Sequence, residues 1–237
     1  QGLPTLKPTA GAKASSPFHR RKQRAALMQR KISWLAALKY AVAFGACLAS
    51  AANPALAAAP SGPGAQPRLS TAIRQVAAQV LGSGDHLQQP FAIVDKRAAM
   101  LAVFNASGHL LGSSSVLLGS VHGDHSVPGV GDRAQTGRLR PGDATTPAGR
   151  FRSAPGHNHT GESVVWLDHD LAFAIHRLRP GAGQADRAKR LAAQDPGRKR
   201  VSAGCVVVPL AFYETVVQPL FGHEPGVVYV LPEKGPA

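Results

Sequence analysis

Cysteine is scarce in this chain of 237 residues, which has only Cys47 and Cys205. Cys47 lies in an apolar N-terminal run, so the rest of the chain keeps one thiol and cannot close an internal disulfide. Acidic residues are absent from the first 57 positions, which carry nine Lys or Arg. Repeats are absent too, which excludes a solenoid or a propeller.

The missing acids mark a segment with its own purpose. The basic cluster His19–Arg24 precedes an apolar run from Ile32 to Ala52, broken only by Lys39, and then Pro54-Ala55-Leu56-Ala57-Ala58-Ala59. A basic region, an apolar stretch and a small-residue A-x-A site together describe an export signal, expected over 1–57; the other reading of the same segment is an N-terminal membrane anchor. Without it, 18 basic residues stand against 13 acids, about +5 in place of the formal +14. Most of the basic excess is thus a targeting feature, and nucleic acid is not expected as a partner. The expected location is the periplasm or cell envelope, with the membrane met only through the N-terminal segment.

Residues 58–89 read as an Ala/Pro/Gly/Ser-rich linker followed by a short helix over 69–81, with Ser70 or Thr71 as cap and Gly82 as stop. Strand patterns follow at 91–94, 100–104, 115–118, 149–153, 163–167, 171–176 and 227–231, with a hairpin turn at Asn105–Gly108. Residues 119–143 read as a long Gly/Asp/Pro-rich loop. Helices are expected over 184–193 and, after Pro209, over 210–220. The fold class is therefore mainly β with small flanking helices, in one domain over 90–233.

The second cysteine sits in Arg200-Val201-Ser202-Ala203-Gly204-Cys205-Val206-Val207-Val208, at a small-residue turn before a β-branched run. A lone cysteine is most often a small buried hydrophobe. An odd thiol in an exported protein is a liability, however, unless its chemistry is used. Its placement suits a nucleophile: a nearby histidine can take its proton, and the backbone N–H groups of Gly204 and Cys205 can face a developing oxyanion. Ser202 can hold the turn. The histidine that fits is His176, at the end of Phe173-Ala174-Ile175-His176. A further group, His157-Asn158-His159 with Asp168-His169-Asp170, offers metal-ligand types, but the first cluster lies in a Gly/Pro/Asn loop. No metal and no cofactor are expected.

Three stretches taken together, Thr145-Thr146-Pro147-Ala148-Gly149-Arg150-Phe151, Phe173–Arg177 and Ser202–Cys205, resemble the L,D-transpeptidase (YkuD-like) family of cell-wall enzymes. The resemblance spans about 91 to 232 and implies a β-sandwich of mixed sheets. It also implies an exported cysteine acyltransferase acting on peptidoglycan tetrapeptide stems through a Cys205 thioester, with release of D-alanine and a role in cell-wall cross-linking and cell shape. Cys205, His176, Gly204 and Ser202 would be its catalytic group. Thr146, Pro147, Gly149, Phe151 and Ala203 would shape the substrate side. Two positions depart from the family pattern: Ala203 and Val207 replace polar residues. The 29 residues from His176 to Cys205 also exceed the usual spacing. These departures keep a second reading open, a weakened peptidoglycan-binding module of the same fold. A zinc hydrolase built on His157 and His159 is a third.

Overall fold

The computed structural model describes residues 68–234; the expected export segment and most of the linker lie outside the described residues. Helix α1 (Thr71–Ser83) opens the described chain. Ser70 caps it by accepting from the Ile73 N–H at 3.1 Å while its own hydroxyl donates to Asp95 at 2.7 Å. Ile73, Ala77 and Val80, spaced for one helical face, are buried. The helix passes the expected stop at Gly82 and ends where Gly84 takes a left-handed φ of 67°. Its buried face packs on Phe91, Ile93, Ala102, Phe104 and Val227.

Eleven strands follow among the described residues. β1 (Phe91–Asp95), β2 (Met100–Phe104), β3 (Leu110–Ser115), β5 (Gly149–Arg152) and β11 (Val227–Val230) form one sheet in the order β3-β2-β1-β11-β5. β6 (Ala154–His157), β7 (Ser163–Asp168), β8 (Phe173–Arg177) and β10 (Val206–Val208) form a second, in the order β10-β8-β7-β6. β4 (Leu118–Gly119) and β9 (Arg200–Ser202) make a short parallel ladder. Both larger sheets are mixed, with β1/β11 and β8/β10 parallel and the other pairs antiparallel. The expected β-rich class with mixed sheets and short helices is what the chain forms.

Alternation explains how the layers meet. On β1, Ala92 and Val94 face the second sheet while Phe91 and Ile93 face α1, so all five residues of the strand are buried. The inter-sheet core joins Ala92, Val94, Leu101, Val103 and Val228 to Val165, Phe173, Ile175, Val206 and Val208. Residues 210–221 close one end of this core as a broken helix: α4 (Leu210–Phe212), a π turn over Tyr213–Val217, and α5 (Gln218–Phe221). Pro219 has no N–H to give to the preceding turn, a physical reason for the helix to rewind there.

Four elements differ from the sequence expectation. β3 spans Leu110–Ser115, upstream of the expected 115–118, because Asn105 closes the hairpin through its side chain to the N–H groups of Ser107 and His109. β6 forms inside a Pro/Gly stretch read as loop, and β9 forms in the segment read as the small-residue turn before Cys205. The 119–143 loop holds helix α2 (Val130–Gln135), tied down by the two-bond pair of Arg133 with Asp143 at 2.7 and 2.8 Å. Leu101 is fully buried between the sheets. Leu101→Ala is expected to cost about 2–5 kcal/mol, read as a lowered denaturation midpoint at unchanged slope.

Candidate functional site

The parallel pairing of β8 with β10 sets the register Ile175↔Val206, His176↔Val207 and Arg177↔Val208. Ile175, Val206 and Val208 point into the inter-sheet core. His176 and Val207 therefore point to the opposite face, with Ala174 and Cys205 one step back along the same row. Cys205 and His176 thus share a face, one strand spacing across (about 5 Å) and two residues along. That face floors a cleft of about 840 Å³, to which Cys205, His176, Pro147, Ala203 and Arg179 all contribute. Helix α3 (Gln184–Ala192) packs beside it through Leu191 against Leu117, Leu178 and Val207.

The turn ahead of the thiol is closed by its own residues. The Ser202 hydroxyl donates to the Cys205 carbonyl at 2.7 Å and accepts from the Gly204 N–H at 3.1 Å. Gly204 adopts a φ of +131°, and a Cβ placed there would stand 2.9 Å from the Thr145 carbonyl oxygen. Backbone conformation and space both demand glycine at this position. From below, the Thr146 hydroxyl donates to the Gly204 carbonyl at 2.7 Å.

Burial controls the charge state of both reactive groups. The His176 Nδ1 lies 2.8 Å from the Arg177 carbonyl, which can only accept, so Nδ1 carries the hydrogen and Nε2 the lone pair. Burial, and next the Arg179 guanidinium, lower the His176 pKa to about 4. Arg179 and Arg177 are themselves held by Glu162, at 2.7 and 2.6 Å. The Cys205 thiol donates to the Ala172 carbonyl at 3.4 Å. Burial pushes its pKa up, against opposing pulls from the Ala174 backbone and Arg179. At rest the site is a neutral thiol beside a neutral imidazole. Ala172, whose carbonyl holds the thiol, has a φ of 48°, an uncommon conformation for a residue with a side chain.

Of the residues singled out in the sequence, Cys205, His176, Ser202 and Gly204 come together, and Pro147 and Ala203 line the same cleft. Four expected roles change. Thr146 is fully buried beneath the turn and does not shape the substrate side. Gly149 pairs with Val230 in β5, and Phe151 packs edge-on against Phe173 at 5.2 Å, a partly buried neighbour of the core. The Gly204 N–H, expected to face an oxyanion, is already bonded to Ser202. Arg179 and Ala172 were not singled out in the sequence. For Arg179 the signal was a charge three residues past His176; Ala172, an alanine in a turn, offered none. His157, His159 and His169 open onto the cleft, yet among the described residues no three His, Cys, Asp or Glu side chains converge to hold a metal.

No protein-family model matches the chain, and no curated protein sequence matches it. L,D-transpeptidase catalytic domains stand among its structural neighbours. The helical cell shape determining protein Pgp2 from Campylobacter jejuni matches at 15% identity and a TM-score of 0.40, over 62% of this chain and 48% of that one. The L,D-transpeptidase from Xylanimonas cellulosilytica matches at 18% identity and a TM-score of 0.36, over 60% of each chain. The catalytic domain of the E. faecium L,D-transpeptidase matches at 20% identity and a TM-score of 0.31, over 62% of this chain and 99% of that one. Across the three structures matched first, this chain spans 48%, 65% and 60% of their lengths.

Two pH dependences follow from the buried pair. In the folded chain His176 stays neutral down to a pKa of about 4. In the unfolded chain it titrates near the ordinary value of about 6.5. Between these values the unfolded chain binds the extra proton, so stability is present in full above the upper value and is lost as pH falls through the window. Its loss is expected to be on the order of 3 kcal/mol, and denaturation midpoints of His176→Gln should lack that component of the slope. For Cys205, the rate of alkylation by iodoacetamide should keep climbing with pH beyond the ordinary thiol value of about 8.5. A plateau at neutral pH would contradict the raised thiol.

Proposed function

We propose that this chain is an exported cysteine acyltransferase of the L,D-transpeptidase type, acting on peptidoglycan tetrapeptide stems in the periplasm or cell envelope. The observation that carries the reading is the thiol of Cys205 and the imidazole of His176 on one face of two parallel-paired strands, at the floor of an open cleft. His176 Nε2, which holds the lone pair, takes the thiol proton as Sγ attacks the carbonyl carbon of the third stem residue. The electron pair pushed onto the carbonyl oxygen is met by the Cys205 backbone N–H. Collapse breaks the bond to the terminal D-alanine, whose amine receives the proton from His176. The thioester left on Sγ passes to an amine of a second stem, which restores the thiol. Because both groups rest neutral, thiolate forms during attack and does not persist beforehand.

A second reading, a peptidoglycan-binding module that has lost turnover, draws on Ala203 and Val207 at the cleft and on the thiol resting as a donor to Ala172.

Intact mass of the full chain incubated with a disaccharide-tetrapeptide decides between them. A thioester adduct or D-alanine release is expected in the wild type and absent in Cys205→Ala. His176→Gln should lower the rate by about 10²- to 10⁴-fold, the usual worth of a general base. Folded wild type that binds the stem without releasing D-alanine would favour the binding module.

A further inference from the structure

The bonds made by Thr146 converge on a single peptide unit. Its side chain is fully buried, and its Oγ1 accepts from the Gly119 N–H at 2.8 Å. The hydroxyl proton goes to the Gly204 carbonyl oxygen, 2.7 Å away. The Thr146 carbonyl in turn accepts from the Lys96 ammonium at 2.9 Å. That ammonium is fully buried as well, and it also donates to the Gly123 carbonyl at 2.6 Å and to Asp124 at 2.7 Å. A buried lysine is retained only when its charge is paired and its donors are used, and here they are. A continuous strut therefore runs from Lys96 through Thr146 to the turn that carries the thiol.

The consequence comes from the geometry of the peptide bond. The Gly204 carbonyl and the Cys205 N–H belong to one trans unit and point in opposite directions. Holding the carbonyl down onto buried Thr146 aims the Cys205 N–H the other way, toward the cleft. Glycine is the residue least able to hold such a plane by itself, because it has no Cβ to restrict rotation. The neighbouring Gly204 N–H is spent on Ser202, so this one N–H matters more.

We infer that Thr146 is a positioning residue: its hydroxyl, oriented by Gly119 and backed by Lys96, locks the Gly204–Cys205 peptide so that the Cys205 N–H faces the developing oxyanion. The inference deepens the acyltransferase reading and rests on it.

The test compares two reactions of Cys205 in the full chain. With p-nitrophenyl acetate, Sγ bonds to the acetyl carbonyl carbon, an oxyanion forms, and the C–O bond breaks to expel p-nitrophenolate, the thiol proton passing through His176 to solvent. With iodoacetamide, Sγ displaces iodide from a saturated carbon and no oxyanion arises. Thr146→Val, which keeps the shape and removes the hydroxyl, should slow acylation about 10- to 100-fold. Alkylation should stay at the wild-type rate, and Thr146→Ser should restore acylation. If the valine variant does not fold, Thr146→Ala against Thr146→Ser makes the same comparison. Acylation and alkylation falling together would show that the hydroxyl only supports the thiol, and an unchanged acylation rate would show that it positions nothing; either overturns the inference. Wild type that accepts acetyl but ignores the tetrapeptide leaves the inference standing and removes the substrate reading. Wild type that is alkylated but acylated by neither reagent overturns both.

Discussion

Everything at the cleft depends on β10 lying parallel to β8. Parallel neighbours cannot be joined by a tight turn; the chain must leave the sheet and come back, which takes a dozen residues or more. Residues 178–205 make that return, through α3 and the 3₁₀ turn Pro196–Lys199. The long spacing between His176 and Cys205 is thus the crossover itself; its Leu178 lines the cleft, and its Leu191 packs behind Leu117, Leu178 and Val207. Because the strands are parallel, the turn that enters β10 lies toward the start of β8, where the Ala172 carbonyl meets the thiol.

The same arrangement explains why the site rests uncharged. Strand faces that look outward are usually wet, but α3, α2 and the 119–143 loop border this one, and burial then disfavours both thiolate and imidazolium. Arg179 works on the two groups in opposite senses, favouring thiolate and disfavouring imidazolium. Glu162, which binds both Arg177 and Arg179, tempers that charge. Acid–base balance here is a property of a layer of packed residues and not of the two reactive groups alone.

Much of the fold could be read from local pattern. The strands at 91–95, 100–104, 163–168 and 227–230 carry β-branched or aromatic runs with clear ends, and the α1 cap at Ser70 is written in the chain. β6 escaped because its Ala154-Pro155-Gly156-His157 has no strand pattern; it pairs with β7 because Gly156 makes room for Trp166, whose ring atoms would stand 2.6 and 2.8 Å from a Cβ there. Phe151 and Gly149 were drawn toward the site by motif order, whereas β5 pairing with β11 sends them into a different sheet.

By itself the sequence determined the class of fold, the residue types able to do the chemistry, and the glycine without which the turn before Cys205 could not be made. These are local matters, set by side-chain periodicity and backbone freedom. Only the tertiary structure decided that Cys205 and His176 share a face, that Thr146 lies beneath the nucleophile and away from the substrate side, and that Lys96 is buried against Asp124. Strand register and burial join residues far apart in the chain, 58 positions between Thr146 and Gly204 and 28 between Lys96 and Asp124, and a linear pattern does not encode which side of a sheet each will face.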